Sequence, residues 1–396
     1  MRIIVSTPTF LPLVGGAELG IHEAYRRLGR DHDVTILTPS LPREVLDEYG
    51  APDYTSDDYK VRHILPELDR ISPRIVRRIL ERTSLLYIAE LARIVRRERP
   101  DVIDFKMIRP HGGALPVMKH MYGVPVVLSL IGRSDVMRLR PAPKRAYAEM
   151  IISQADLVVP NSTYYLGMHR KAPKIRIIPS GVDTHEFSPT RRSATLRNEL
   201  GLSDDHFLLL SVQRLAPIKR VDMIIRAMAE VVKHNRHVVL VIGGQGEEKD
   251  RLQLLVSELD LSDNVKFAGY IDSDRLPEYF ASSDAFAFHS MIETFGIVFA
   301  QAMASGLPIV AANTSCVPDV LTADNGLFVT PFDTLAFADA VLTLANDRSL
   351  AKRIGDHNRV RAMREFDWDQ IATRYERMLQ DTIAGDSTSP VASTGL

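Results

Sequence analysis

Arg214 and Lys219, in "SVQRLAPIKR", lie on the loop and helix start that follow the apolar run "FLLLSV". Two cations at the carboxyl end of a strand suit a diphosphate, Arg as a planar fork and Lys as a point charge. A solvated basic turn would look the same in isolation. Further along, "SMIETFGIVFAQAMASG" places Glu293 before a Thr-Phe-Gly turn. The pattern predicts a helix from about Gly296 to Ala304, stopped by Gly306. The free amides of Phe295, Gly296 and Ile297 would then face out of a helix N-terminus, where anions bind. Glu293 fits either a simple cap or a ligand contact there. Gln301, a turn further in, is an amide in an apolar stretch and needs a partner.

Other motifs are weaker. In "LVGGAELG", Gly15 and Gly16 let backbone approach a ligand closely, and a helix is expected near Ala17. "IGGQGEEK" resembles a dinucleotide fingerprint, but Lys249 stands where the third glycine would be. Gly243, Gly244 and Gly246 therefore read as a tight strand-to-helix turn. The chain has no Gly-Lys-Ser/Thr loop, no Gly-x-Ser-x-Gly elbow and no His-Glu-x-x-His. His234 and His237 read as solvated residues near a helix end. The single cysteine, Cys316, cannot form an internal disulfide, which fits a reducing cytosol and excludes a cysteine-rich zinc site. A formal net charge of -1 gives no support for nucleic-acid binding.

These residues need a scaffold, and 396 residues exceed what one core usually serves, so two domains are expected. Hydrophobic content of 45% and charged content of 25% match a globular chain. No apolar run approaches bilayer-spanning length, and the N-terminus opens directly on a strand, so neither secretion nor spanning is expected. Short Val- and Ile-rich runs alternate with helical periods: "RIIVS", "DVTIL", "PDVID", "VPVVLSL", "ADLVVP" and "KIRIIP", then "FLLLSV", "HVVLVIG", "NVKFAG", "AFAFHS" and "LPIVAA". That pattern predicts α/β architecture with two doubly wound parallel sheets and ligands at the strands' carboxyl ends. The break in "IPSGVDTHEFSP" puts the crossing near residue 188, giving domains 1–188 and 189–385, and "GDSTSPVASTGL" suggests a disordered tail over 386–396.

In order along the chain, "GGAE", "IPSGVDTHEF", "QRLAPIK", "IGGQGEE", "VKFAGYI", "ETFGIVFAQAMASGLPIVA", "NGLFV" and "FDWDQIATRY" resemble the retaining glycosyltransferases of family 4. The resemblance covers nearly the whole chain. It implies the GT-B fold, with two Rossmann-like domains facing across a deep cleft and a last helix, about 369–384, packing back toward the N-terminal domain. It also implies a nucleotide-diphosphate-sugar donor (UDP or GDP) bound by the C-terminal domain, an acceptor bound by the N-terminal one, and no metal or other cofactor. Carried over residue by residue, Arg214 and Lys219 hold the diphosphate, helped by the Gly296 and Ile297 amides beside Phe295 and by the Gly15–Gly16 loop. Glu293 contacts the transferred sugar, and Tyr270 and Ile271 border the base. Glu18, Gly132, Arg133 and Asp135 fall on the acceptor side.

Two positions depart from the family pattern. Gln301 stands where a second Glu usually holds the ribose hydroxyls. An amide accepts from one hydroxyl and donates to the other, at an expected loss of about 1 kcal/mol. Ile131, in "LSLIGRSDV", stands where many members carry a His, while Gly132 and Asp135 remain.

The first 188 residues carry 28 Lys and Arg against 22 Asp and Glu, and residues 70–99 alone hold nine Arg and three Glu. A basic amphipathic stretch there would suit an anionic membrane surface, and a solvated helix is the plainer alternative. Three functions are therefore expected in turn. The first is a cytoplasmic enzyme, peripheral at the inner face of the membrane, that builds surface polysaccharide or glycolipid on lipid-linked or saccharide acceptors. The second is an enzyme acting on a small soluble acceptor, and the third is a non-catalytic sugar-nucleotide binder.

Overall fold

The computed structural model describes residues 1–11, 15–39, 56–64, 85–108, 111–132, 135, 142–168, 172, 174–322 and 324–385. Arg133, residues 70–84 of the arginine-rich stretch and the tail 386–396 lie outside them. The chain divides into two compact units, one formed by residues up to Ser180 together with those from Asp369 onward, the other by Gly181–Trp368.

In the first unit, β1 (Arg2–Ser6), β2 (Asp33–Pro39), β3 (Lys60–Ile64), β4 (Val102–Lys106), β5 (Val126–Leu130) and β6 (Leu157–Pro160) form a parallel sheet in the order β3-β2-β1-β4-β5-β6. β4 and β5 are buried at every position, which is why they read as continuous apolar runs rather than alternating ones. Helix α1 (Gly16–Leu28) follows the loop after β1, and α2 (Leu85–Glu98) precedes β4.

Two strand readings change in this unit. "KIRIIP" makes only an isolated bridge, Ile175 to Val158, beside β6. Its amides at Arg176 and Ile178 donate to Val158 and Pro160, but Pro160 has no N–H to return and the ladder stops. β3, by contrast, was not expected, because "KVRHI" is an edge strand exposed at most positions and carries Lys60, Arg62 and His63 instead of an apolar run.

The second unit repeats the winding with β7 (Phe207–Val212), β8 (Val238–Gly243), β9 (Val265–Gly269), β10 (Ala285–Phe288), β11 (Ile309–Ala312) and β12 (Gly326–Val329), all parallel, in the order β12-β11-β10-β7-β8-β9. In both sheets the order reverses beside the first strand, the place where doubly wound sheets bind ligands. Alternate residues of β7 and β8 supply two separate cores. Phe207, Leu209, Leu240 and Ile242 pack under α3 (Val221–His234), while Leu208, Leu210, Val239 and Val241 pack with Phe286, Phe288 and Phe299 on the other face. Helices α4 (Lys249–Glu258) and α5 (Ile297–Ala304) follow β8 and β10.

The final helix, α6 (Trp368–Ala384), belongs from Asp369 onward to the first unit. Its Tyr375 packs on Tyr25 and under the Lys106 ammonium, its Glu376 meets His32 at 3.0 Å, and its Asp381 pairs with Arg176 at 2.8 Å. Among the described residues, no helix is long and apolar enough to cross a membrane.

Candidate active site

In the second unit, Arg214, Lys219, Tyr270, Ile271 and Glu293 all lie on loops leaving the carboxyl ends of β7, β9 and β10. The β7 loop is fixed by its neighbour. The amide of Leu215 donates to the Gln245 carbonyl at 2.8 Å, and that of Glu248 returns to Leu215 at 3.0 Å. This pairing requires Gly244: at φ +134°, a Cβ there would stand 2.0 Å from the Gln213 carbonyl oxygen. The triple-glycine stretch is thus the tight strand-to-helix turn expected, and it serves to hold the β7 loop.

Lys219 closes a short 3-10 turn, Pro217–Lys219, that is stitched to the β10 loop by the Met291 amide donating to Ile218 at 3.0 Å. Its ammonium lies 2.5 Å from Glu293 Oε2 and 5.4 Å from the Phe288 ring centroid. Arg214 is exposed, and its guanidinium has no partner among the described residues. The strand end therefore presents one neutralised cation and one free one.

Helix α5 begins one residue later than predicted, with Gly296 as its N-cap in the left-handed region at φ +72°. A Cβ at Gly296 would fall 2.8 Å from the Phe299 ring and 3.1 Å from Glu293 Cγ, so only glycine lets the chain turn this tightly beside Glu293. The amides of Phe295, Gly296 and Ile297 have no acceptor among the described residues. Phe295 itself is buried against Phe366, so only its backbone faces the site. Apart from Gln301 the helix is apolar on all sides, and Phe299 packs at 4.9 Å on Phe288, which fixes the direction of the free amides.

Gln301 is buried and its Oε1 has no hydrogen-bond partner. That is the unmet acceptor an incoming hydroxyl would satisfy. Tyr270 is 63% exposed at the end of β9, and Ile271 closes over β8, its Cδ1 lying 2.4 Å from where a Gly243 Cβ would be.

Sequence reasoning missed two supports. Ser315, a non-glycine residue at φ +44°, accepts the Glu293 amide on its hydroxyl at 2.9 Å and so sets the height of that loop. His289, directly after β10, is buried between Phe332 and Phe337, and its Nε2 accepts the Phe332 amide. Burial first, and then the Arg220 charge, lowers its pKa to about 4, so it is neutral near pH 7. Only the rule that site residues follow strand ends could have pointed to either.

In the first unit, Gly15 caps α1 in extended conformation and Gly16 is its first residue. Glu18 folds back toward them and accepts from the Thr9 hydroxyl at 2.5 Å. Asp135 is buried and takes the Ile108 amide at 2.9 Å and the Gly132 amide at 3.4 Å, tying the loops after β4 and β5 together. The Gly132 carbonyl accepts from Tyr165, and the Ile131 carbonyl faces the Asn161 amide at 3.5 Å.

Two Rossmann-like halves, one with cations, free helix amides and a carboxylate gathered at its strand ends, have the architecture of the GT-B type. The family described as group 1 glycosyl transferases matches residues 193–361, glycosyltransferase family 4 matches residues 14–186, and the chain belongs to this glycosyltransferase family. N-acetyl-alpha-D-glucosaminyl L-malate synthase of Bacillus anthracis is 25% identical over 97% of this chain and 98% of its own. A GDP-mannose-dependent alpha-(1-6)-phosphatidylinositol monomannoside mannosyltransferase of Mycolicibacterium smegmatis is 26% identical over 95% and 98%. Among solved structures, Anabaena Alr3699/HepE in complex with UDP superposes with a TM-score of 0.75 at 22% identity, covering 96% of this chain and all of that one.

Proposed function

We propose that this glycosyltransferase moves a sugar from a UDP- or GDP-sugar to an acceptor hydroxyl with retention of configuration, in the building of a surface polysaccharide or glycolipid. The observation that carries the reading is the meeting of Lys219 and Glu293 at 2.5 Å beside the open amides of α5, with Arg214 free on the same loop. Arg214, Lys219 and the amides of Gly296 and Ile297 would take the diphosphate, and Phe295 would contribute its backbone. As the glycosidic bond loosens and the sugar becomes oxocarbenium-like, these preorganised groups stabilise the charge growing on the leaving phosphate. On this reading the chain's own cations meet that charge and no metal is called for. Glu293 would accept from the transferred sugar's hydroxyls, Gln301 would hold the ribose, and Tyr270 and Ile271 would flank the base.

The acceptor would lie against the first unit, around Glu18, Gly132 and Asp135. A place at the inner face of the membrane is supported by α2, where Leu85, Leu86, Arg93, Arg96 and Arg97 are exposed. A small soluble acceptor is the second reading, favoured by relatives whose names specify L-malate and D-inositol 3-phosphate.

The test is calorimetric titration of UDP-, GDP- and ADP-sugars into the wild type, Arg214→Ala and Lys219→Ala. Acceptor assays with lipid-linked and soluble alcohols follow, with the product anomer read by NMR. One nucleotide class should bind, each variant should weaken it by about 10–100-fold for loss of a charged hydrogen bond, and the product should keep the donor's configuration. Absence of binding by every donor, or an inverted product, would overturn the proposal.

A further inference from the structure

From the ion pair between Lys219 and Glu293 we infer that Glu293 is a built-in competitor of the nucleotide's terminal phosphate, occupying Lys219 between turnovers and helping to expel the nucleoside diphosphate product. The inference rests on the donor site proposed above and adds a role in product release.

Lys219 and Glu293 stand 2.5 Å apart with side chains only 20% and 18% exposed, so their attraction is less screened than that of a surface pair. Both are held from behind. The turn bearing Lys219 is tied to the β10 loop through Ile218 and Met291, and the Glu293 backbone is tied to Ser315. The carboxylate thus reaches the ammonium from a braced position, and no other anionic side chain pairs with Lys219 among the described residues. Arg214 has no such partner among them.

A nucleotide sugar arriving at this strand end offers Lys219 a phosphate in exchange for Glu293, and offers Glu293 a sugar hydroxyl in exchange for Lys219. Both groups are re-partnered, so the exchange costs little. After transfer the sugar has left with the acceptor, and Glu293 has lost its new partner while Lys219 still holds the phosphate. The freed carboxylate then repels the phosphate, which has itself gained negative charge, and competes for the ammonium. Re-forming the Lys219–Glu293 pair and releasing the nucleoside diphosphate are one event.

Removing the negative charge from Glu293 should therefore strengthen product binding without strengthening donor binding, a split that a purely supporting residue would not produce. The experiment is calorimetric titration of UDP and GDP, and of the matching nucleotide sugar, into the wild type, Glu293→Gln, Glu293→Ala, Lys219→Met and Lys219→Met/Glu293→Gln. Thermal unfolding of each variant confirms folding, and Glu293→Ala gives a second measure should the amide make new contacts. With the nucleoside diphosphate the wild type accepts, both Glu293 variants should bind about fivefold tighter, the size of one partly screened ion pair, while binding the nucleotide sugar no tighter. In the Lys219→Met background, removing Glu293 should yield less than half of that gain. Equal or weaker nucleoside diphosphate binding by folded Glu293 variants would overturn the inference while leaving the donor site intact. If the wild type binds neither nucleotide nor nucleotide sugar, the donor-site reading falls and takes this inference with it.

Discussion

Asp104 and Lys106, two residues apart on β4, form an ion pair of 2.8 Å sealed from solvent on both sides. Tyr25 donates to the same carboxylate at 2.5 Å, Ser129 to its other oxygen at 2.8 Å, and Lys106 also reaches the Ser129 hydroxyl at 3.1 Å. Burial alone would lower the Lys106 pKa, but Asp104 and then Tyr375 more than offset it, and the ammonium is held charged. The Lys106 ammonium lies 4.8 Å from the Tyr375 ring, so the pair also fixes α6 against the sheet of the first unit.

Breaking this pair from one side leaves an uncompensated buried charge. Asp104→Asn or Lys106→Met should each cost about 3–5 kcal/mol in urea unfolding, whereas the double substitution Asp104→Asn/Lys106→Met, which removes both charges together, should cost clearly less than the sum. Strict additivity would show that the two charges do not depend on each other.

His289 gives the second unit a titration of known sign. Its pKa in the fold, about 4, lies below the ordinary value of 6.5, so the unfolded chain binds the proton more readily between those pH values. Stability from this group is complete above about pH 6.5 and is lost as the pH falls toward 4. Arg220, which lowers the pKa further, and Asp222, which raises it, face the ring, and Phe332 and Phe337 pack on it. Unfolding free energies measured from pH 7 to pH 4 should fall by about 2–3 kcal/mol more in the wild type than in His289→Gln. Parallel pH profiles would refute a neutral buried imidazole.

The positions of the residues proposed for the donor site were legible because each sits at a strand end that its own apolar run announces: "FLLLSV" before Arg214, "NVKFAG" before Tyr270, "AFAFHS" before Glu293. What the sequence could not show depends on neighbours brought from afar. Ser315 serves Glu293 through an unusual backbone angle, and His289 is neutral only because distant aromatic rings bury it. β3 escaped notice because its Lys60 and Arg62 mask a strand that exists by pairing with β2. "KIRIIP" misled for the opposite reason, since its apolar run is strand-like while the Pro160 beside it cannot continue the ladder.

Gly244 tests whether the β8 turn truly holds the cationic loop. Gly244→Ala adds a Cβ that would stand 2.0 Å from the Gln213 carbonyl oxygen, at a backbone angle that L-residues rarely adopt. The β7 loop must move to make room, carrying Arg214 with it. Stability should fall by about 3 kcal/mol and nucleotide binding by about 10-fold or more. Gly201→Ala is the contrast: it also has positive φ, but its nearest neighbour would be Lys266 Nζ at 3.9 Å. That variant should lose about 1 kcal/mol and bind nucleotide as the wild type does. Equal effects at the two positions would mean that strain alone, not displacement of the loop, explains the loss.

Gln301→Glu separates the stability of the empty protein from affinity for its ligand. The amide's Oε1 is buried without a partner, and a carboxylate in its place would bring an unpaired charge into the same pocket. The ligand-free variant should therefore lose about 1–3 kcal/mol and show a raised Glu pKa. If Gln301 holds the ribose as proposed, the relation should reverse in the complex: a carboxylate accepting from two ribose hydroxyls would make stronger bonds than a neutral amide, by about 1 kcal/mol, or roughly fivefold in affinity. On the proposed reading, the native amide would trade some grip on the nucleotide for stability without ligand. Unfolding of the ligand-free variant and nucleotide titration at the same pH check both halves. A variant that gains stability without ligand, or loses affinity with it, would place Gln301 outside the ribose site.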